Sequence, residues 1–195
     1  MVAHVPSRSD WLEVGLASLA DDGPNGLRID RLCRRLHVSK GSFHHHFAGA
    51  SDFKQALLAV YEARVVDALD HAIEQTAAAT PRDALDGLTA SITNTDGFYR
   101  PDLEVAMRAW AFSDPEVRAV QQRVDERRLE SLRSIWSQIL DDPRAAYTAA
   151  LLPYLVGIGA SLIQPATPVD QLQRVYELLL TAVPDQSRRD TPKNS

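Results

Sequence analysis

The sequence predicts an all-α protein of about nine helices. Of its 195 residues, 49 are Ala or Leu and 22 are Val or Ile, which favours helices because Ala and unbranched side chains lose little conformational freedom there. Apolar residues recur three and four positions apart along most of the chain, and we find no alternating segments bounded by hairpin turns.

The N-terminal part of the chain predicts four helices. The first places Trp11, Leu12 and Leu19 on one face and ends before a Gly-Pro-Asn-Gly run at residues 23–26. Two short helices follow, with only His37 and Val38 between them. The four predicted segments are residues 9–21, 29–36, 39–46 and a long helix from a Ser51 cap to Thr80.

Five further segments have helical periodicity and clear ends: residues 82–93, 101–112, 114–140, 143–164 and 168–183. Ser113 and Glu116 have the spacing of a capping box at the start of the third segment. Asp142 precedes Pro143 as a cap at the start of the fourth. The polar residues 185–195 are predicted to be a disordered tail.

Charge is distributed unevenly along the chain. The whole sequence is acidic, with 26 Asp and Glu against 21 Lys and Arg, which argues against a protein that coats nucleic acid or an anionic membrane over its entire surface. Residues 27–54, however, include six basic residues, two acidic ones and four histidines. A short cationic segment ahead of an acidic body is typical of a polyanion-binding module.

The cysteine content and the apolar stretches of the sequence exclude several structural features. Cys33 is the only cysteine, so a disulfide within the chain and a cysteine-based zinc cage are excluded. The N-terminus lacks an apolar signal segment, and the longest apolar stretch, residues 149–163, contains Pro153 and is shorter than a membrane span. We therefore expect a cytoplasmic protein.

Residues 29–47 have the pattern of a helix-turn-helix unit. The inward positions are apolar: Ile29, Leu32, Cys33 and Leu36 in the first helix, and Val38, Phe43 and Phe47 after the turn. The outward face of the second helix then consists of small donors and cations: Ser39, Lys40, Gly41, Ser42, His44 and His45. Short side chains let a helix approach base edges in the major groove, and donors and cations bind bases and phosphates. These six residues are the predicted DNA-binding face.

The run from Val38 to Phe47, Val-Ser-Lys-Gly-Ser-Phe-His-His-His-Phe, and the preceding Leu-Arg-Ile-Asp of residues 27–30 resemble the DNA-binding domain of the tetracycline-repressor (TetR/AcrR) family of bacterial transcriptional regulators. The resemblance implies a three-helix DNA-binding domain, residues 1–50, followed by a helical ligand-binding and dimerisation domain, residues 51–184. It also implies a homodimer that binds a palindromic operator and is released by a small-molecule effector.

Several positions depart from the family pattern. Arg28 stands where a capping threonine is usual, and it can reach a phosphate but cannot cap the helix. His44 replaces a tyrosine that contacts the DNA backbone, and His37 replaces the turn glycine, which predicts a residue at positive φ. Ala50 stands where a lysine is common, and Lys54 is the nearest substitute. Arg28 and Lys54 therefore complete the predicted set of DNA-binding residues.

The three consecutive residues His44, His45 and His46 do not predict a metal site. Consecutive helical residues point about 100° apart and cannot converge on one ion. No acidic residue or histidine lies four positions after any of them. We expect no metal and no cofactor.

Aromatic and polarizable residues gather in the second half of the chain, and two interpretations of them stay open. Core packing is their commoner role. Under the resemblance they would line an effector cavity, and the ligand-binding candidates are Phe98, Tyr99, Met107, Trp110, Arg128 and Trp136. Arg128 lies near the apolar face of its helix, where a guanidinium needs either an ion-pair partner, such as Asp102 or Glu104, or an anionic ligand.

The last two predicted helices offer more apolar surface than one helical layer needs. Under the resemblance, these two helices pair with their copies in a dimer. The interface candidates are Leu152, Leu155, Gly159, Leu162, Leu172, Tyr176 and Leu179.

The favoured hypothesis is a homodimeric transcription regulator, specifically a repressor, whose partners are operator DNA and an unidentified small molecule, with no membrane partner. Two alternatives stay open. A protein-binding adaptor could keep the fold after losing DNA binding, since Arg28 and Ala50 depart from the pattern. An enzyme on a helical scaffold is disfavoured because the sequence lacks a nucleophile and base set, an HExxH motif and a glycine-rich phosphate loop.

Overall fold

The computed structural model describes residues 5–76, 83, 87, 100–165 and 167–181. These residues form eight α-helices, one 3-10 helix and no strand, so the predicted all-α fold is confirmed. The α-helices are α1 (Arg8–Asp22), α2 (Ile29–Leu36), α3 (Lys40–His46), α4 (Ala50–Thr76), α5 (Pro101–Ala111), α6 (Pro115–Trp136), α7 (Pro143–Leu162) and α8 (Val169–Thr181), and the 3-10 helix is Gly23–Leu27. Apart from Asp83 and Gly87, the predicted helix at residues 82–93 lies outside the described residues, as does the tail 185–195.

Side-chain caps explain where two of the helices begin. Ser7 Oγ accepts a hydrogen bond from the backbone N–H of Asp10, and the Asp10 carboxylate accepts the N–H of Ser7, which completes a capping box ahead of α1. Asp142 accepts the backbone N–H of Arg144 and caps α7, as the sequence predicts.

The cap of α6 differs from the prediction. Asp114, rather than Ser113, accepts the backbone N–H groups of Glu116 and Val117, at 3.0 and 3.3 Å. Ser113 donates its hydroxyl to the carbonyl of Trp110 because it still belongs to the closing turn of α5. The start of α4 also differs, since the helix begins at Ala50 and the predicted cap residue, Ser51, lies inside its first turn.

Two glycines form the turn that ends α1. Gly23 has a φ of 64°, in the left-handed region that favours glycine, and its N–H donates to the carbonyl of Leu19. A Cβ on Gly26 would overlap the backbone carbonyl of Ser18. Residues 23–26 therefore stop the first helix as predicted, and they do so as a 3-10 turn.

The chain divides into two compact units. The first comprises Met1–Asp67 and Arg100–Asp125, and the second comprises the described residues of Ala68–Tyr99 and Glu126–Ser195. The functional domains implied by the resemblance, residues 1–50 and 51–184, are a different division of the chain and stay predictions.

One apolar core runs through the first unit, from α1 to the first half of α6. Its most deeply buried residues include Trp11, Leu19, Leu32, Phe43, Phe47, Leu57, Met107, Val117 and Val124. Gly15 lets α1 lie close to α4, since a Cβ there would be 2.7 Å from the Phe53 ring and 2.8 Å from Leu57. The helix-turn-helix thus shares its core with α4, α5 and α6.

A polar network also joins α4, α5 and α6 inside this unit. Glu104 is 4% exposed, and its carboxylate accepts from Arg108, whose guanidinium also binds both oxygens of Asp125, at 2.8 and 3.0 Å. Gln121 donates to Asp125, and the hydroxyl of Tyr61 donates to Gln121. One guanidinium between two shielded carboxylates stabilises the unit only while all three groups are present.

In the second unit, α8 packs on α7 around Tyr176. The Tyr176 hydroxyl donates to the carbonyl of Pro153 over 3.1 Å, and the side chain lies directly beside Gly157. A second apolar cluster holds Ile135, Ile139 and Leu180, with Leu132, Trp136 and Leu140 packed against it.

Candidate nucleic-acid interface

A tight turn joins α2 to α3. His37 has φ 56° and ψ 40°, the left-handed conformation that its position predicts. Its N–H reaches the carbonyls of Cys33 and Arg34, which closes the end of α2. Ser39 occupies the N-cap position of α3 with an extended backbone, and its side chain makes no capping hydrogen bond.

Two phenylalanines determine which face of α3 is exposed. Phe43 meets Trp11 edge-on at 5.3 Å between ring centroids, and Phe47 meets Phe53 at 5.0 Å. Both rings are buried. The other side of α3 carries the residues predicted to point outward: Ser39, Lys40, Gly41, His44 and His45 are exposed, and Ser42 is half-buried.

This outward face of α3 offers unused donors. In the part of the chain that the structure describes, the side chains of Ser39, Lys40 and Ser42 make no hydrogen bond or ion pair. A Cβ added to Gly41 would meet only Ser39 Oγ, at 3.5 Å. A surface of donors with open space above the backbone suits close approach to a nucleic-acid groove.

The arginines of α2 are paired within the protein, at the end of α1 or within their own helix. The pairs are Arg31 with Asp22 at 3.9 Å, Arg34 with Asp30 at 3.5 Å, and Arg35 with Asp21 at 2.9 Å and Asp22 at 3.3 Å. Arg28 is exposed, lies 3.7 Å from Asp30, and gives α2 no side-chain cap, as predicted. Lys40, which makes no ion pair among the described residues, is therefore the cation best placed to reach a phosphate, and a phosphate contact by Arg28 requires its side chain to leave Asp30.

Lys54 differs from the other predicted DNA contacts because it is engaged with α6. Its Nζ lies 2.6 Å from Asp114 Oδ2 and 2.8 Å from Glu116 Oε2, and 5.7 Å from the centroid of the Trp110 ring. Burial lowers the pKa of Lys54, but the hydrogen bonds to Asp114 and Glu116 outweigh it, so the pKa is raised above its ordinary value. For Asp114 the signs are opposite: burial raises the pKa of its carboxyl group, but the hydrogen bond from Lys54 outweighs burial, so the pKa is lowered overall. The sequence did not reveal these two partners.

Two other residues of the motif are held inside the unit. Cys33 is buried, and burial raises the pKa of its thiol. The carbonyl of His46 accepts from Arg8 Nη1 at 2.6 Å. No group of three potential metal ligands occurs among the described residues.

The predicted ligand-binding residues are distributed over both units. Met107 and Trp110 are buried in the core of the first unit, and Trp136 packs beside the apolar cluster of the second. Phe98 and Tyr99 lie outside the described residues. Core packing accounts for Met107 and Trp110, and an effector-binding role for the set stays a prediction.

Arg128 is half-buried. The two carboxylates considered as its partners are held by other arginines, Glu104 by Arg108 at 2.8 Å and Asp102 by Arg100 at 2.5 Å. Its role as a ligand contact also stays a prediction.

The predicted dimer residues divide into an exposed group and a buried one. Three leucines of α7 are exposed to at least half of their surface: Leu152 (50%), Leu155 (59%) and Leu162 (53%). A Cβ on Gly159 would meet no atom within 4 Å, and Leu172 and Leu179 of α8 are half-buried. Tyr176 is buried in the single chain and bonded to Pro153 between α7 and α8, and its role at a dimer interface stays a prediction. Leu178 of α8 is also exposed, although it is not among the predicted interface residues.

The uncovered face of α7 is part of an unusually apolar helix. By length and composition, Pro143–Leu162 could cross a membrane, with a mean hydropathy of 1.5, and 11% of that window is buried within the chain. The same test is passed by helices of soluble proteins, so it does not distinguish a membrane from a protein partner.

The fold and the exposed face of α3 define the class of the protein as an all-α helix-turn-helix protein. Solved structures identify the fold more closely. The chain matches a transcriptional regulator from Rhodococcus sp. Rha1 with a TM-score of 0.71 and 19% identity, over 91% of this chain and 96% of that one. It matches a TetR-family transcriptional regulator from Streptomyces coelicolor with a TM-score of 0.72 and 18% identity, again over 91% and 96%. The chain therefore has the fold of TetR/AcrR-family transcriptional regulators, as the motif predicts.

Sequence similarity to a characterised relative is confined to part of the chain. The transcriptional regulator AcuR from Cereibacter sphaeroides is 33% identical over 61 residues, which span 31% of this chain and 28% of that protein. No protein-family model matches the chain.

Proposed function

We propose that this protein is a homodimeric, cytoplasmic transcription repressor that binds a palindromic operator through two helix-turn-helix heads and is released by a small molecule. The observation that carries the proposal is the outward face of α3. Phe43 and Phe47 fasten one side of this helix to the core, and the opposite side presents donors that have no partner among the described residues.

In this proposal α3 lies in the major groove. Lys40 and Arg28 contact phosphates, while His44 and His45 donate to base edges. The side chains at the centre of the face, Gly41 and Ser42, are small, so that the helix backbone comes close to the bases. Lys54 is left out of this contact set because Asp114 and Glu116 already hold its ammonium group.

The exposed leucines of α7 support the dimer. Leu152, Leu155 and Leu162 each leave half or more of their surface uncovered in the single chain, and such apolar faces mark interaction sites. A two-fold pairing of α7 and α8 with their copies buries these leucines. Binding to a palindromic operator requires the two heads of such a dimer to reach successive major grooves, about 34 Å apart.

Release by a small molecule follows from a difference in affinity. The effector must bind more tightly to the conformation whose heads are wrongly spaced, and the loss of operator affinity equals the ratio of its two affinities.

The proposal is tested by selection of duplexes from a random-sequence DNA pool. The wild-type chain is expected to enrich a palindromic sequence and to bind it with an affinity that falls as salt rises. Lys40→Ala and His45→Ala should abolish this binding. The control, Arg133→Ala, removes an exposed arginine of α6 that is paired with Glu130, and it should leave the binding unchanged. A wild-type protein that enriches no sequence refutes the proposed function.

A further inference from the structure

Lys54 is placed where it can influence the orientation of α3. Only residues 47–49 separate the end of α3 from the start of α4. The preceding residue, Phe53, packs against both phenylalanines of the helix-turn-helix, at 5.6 Å from Phe43 and 5.0 Å from Phe47 between ring centroids. An interaction that holds Lys54 in place therefore also holds the neighbouring Phe53 ring against Phe43 and Phe47.

Asp114, the nearer acidic partner of Lys54, is itself fixed. Asp114 uses its other oxygen, Oδ1, to cap α6. Arg118 donates to the carbonyls of Ala111 and Phe112, both at 3.0 Å, and closes the corner between α5 and α6. The contact is also shielded, since the side chains of Lys54 and Asp114 are each 22% exposed. A partly shielded ion pair between rigid elements contributes more than an exposed pair of flexible side chains.

We propose that Lys54, Asp114 and Glu116 form an electrostatic latch that sets the orientation of α3, and with it operator affinity, without touching DNA. The inference rests on the proposed function. It makes Lys54 a positioning residue and replaces the prediction that Lys54 binds phosphate.

The latch and a phosphate contact predict opposite results when the two carboxylates are neutralised. If Lys54 bound phosphate, Asp114 and Glu116 would compete with DNA for its ammonium group, and removing their charge would tighten operator binding. If the three residues form a latch, removing their charge frees α4 from α6 and weakens operator binding.

The decisive variant is Asp114→Asn with Glu116→Gln, tested on the duplex that the wild-type chain enriches. Asparagine caps a helix about as well as aspartate, so this double variant removes the charges and keeps the start of α6. We expect it and Lys54→Met each to weaken binding about fivefold. Combining all three substitutions should weaken binding no further, because the groups act as one unit. Lys54→Arg should keep most of the affinity, since it keeps the charge.

Salt dependence separates positioning from contact. Affinity falls as salt rises, and loss of a phosphate contact makes this slope of log affinity against log salt less steep by about one for each head. Loss of the latch leaves the slope unchanged. Glu62→Gln is the matched control: it breaks another ion pair between α4 and α6, Arg123 to Glu62 at 2.6 Å, eight residues further from α3. This control should change affinity by less than about twofold.

Two results overturn the latch and leave the proposed function intact. One is tighter or unchanged binding by the Asp114→Asn and Glu116→Gln chain, and the other is a less steep salt dependence for Lys54→Met. Thermal melting of each variant shows whether it is folded at the temperature of the assay. A wild-type chain that binds no duplex refutes the proposed function and the latch with it.

Discussion

Gly157 and Tyr176 lie so close together that a side chain at position 157 would displace the Tyr176 hydroxyl group. A Cβ at Gly157 would be 2.9 Å from the hydroxyl oxygen of Tyr176, and that hydroxyl donates to the carbonyl of Pro153, one turn earlier on α7. The small residue thus makes room for the bond by which α8 is fastened to α7.

The first prediction tests this contact by stability. Gly157→Ala should destabilise the wild-type chain, because the new Cβ crowds the Tyr176 hydroxyl group. The same substitution should stabilise the Tyr176→Phe chain, since that oxygen is then absent and alanine favours the helix over glycine by about 1 kcal/mol. Tyr176→Phe alone should cost about 1 kcal/mol through the lost hydrogen bond. Urea unfolding of the four chains at one protein concentration measures the coupling. Strictly additive effects would show that the two residues do not interact.

A second prediction concerns the polar network in the first unit. Arg108→Met should lower the free energy of unfolding by about 3–5 kcal/mol, because the carboxylates of Glu104 and Asp125 then share a partly dry site without the cation. Adding Glu104→Gln should recover part of the loss, since it removes one of the two negative charges. Urea unfolding measures both chains, and a loss below about 1 kcal/mol for Arg108→Met would show that water replaces the guanidinium.

A third prediction concerns acid. The hydrogen bonds from Arg123 hold the pKa of Glu62 below its ordinary value of 4.5. A carboxyl group with a lowered pKa in the folded chain contributes stability above its unfolded pKa, and that stability is lost as the pH falls through the folded value. Arg123→Met removes the contribution at neutral pH. The melting temperature of the Arg123→Met chain should therefore fall less than that of the wild type between about pH 5 and pH 3. Parallel acid curves for the two chains would contradict the assignment.

The fourth prediction concerns the proposed dimer. Leu155→Lys places a charge among the exposed leucines of α7 and should weaken dimerisation at least about tenfold. Sedimentation over a range of protein concentrations measures the change. Gln122→Lys adds the same charge at an exposed position of α6 and should leave the association unaffected. A Leu155→Lys chain that sediments like the wild type would place the interface elsewhere.

The helix-turn-helix could be predicted in detail because its determinants are local. The burial of Phe43 and Phe47 follows from spacing within one short segment. The positive φ of His37 follows from the family pattern, which has a glycine at that place in the turn. The contact of Lys54 with Asp114 could not be predicted in the same way, since the two residues are 60 positions apart and nothing beside either one marks the other. The pair of Glu104 and Arg108 left a partial signal in its spacing of four on one helix.

Apolar periodicity was informative about α7 and α8 but ambiguous about what covers each face. It placed Leu172, Tyr176 and Leu179 together, as residues of one helix face. It could not distinguish a face turned to α7 of the same chain, where Tyr176 lies, from a face turned to a second chain. The exposed Leu178 lies outside that stripe, so apolar periodicity did not single it out.

The aspartates that end α1 act toward the arginines of α2 as counterions built into the polypeptide. Cations that are neutralised in this way gain little from an arbitrary stretch of duplex, because binding to DNA draws its sequence-independent strength from positive charge delivered to phosphates. In the proposed role, the dimer would hold random chromosomal DNA only briefly. It would reach its operator by repeated collision from solution rather than by long sliding, and it would remain there chiefly because the base sequence fits.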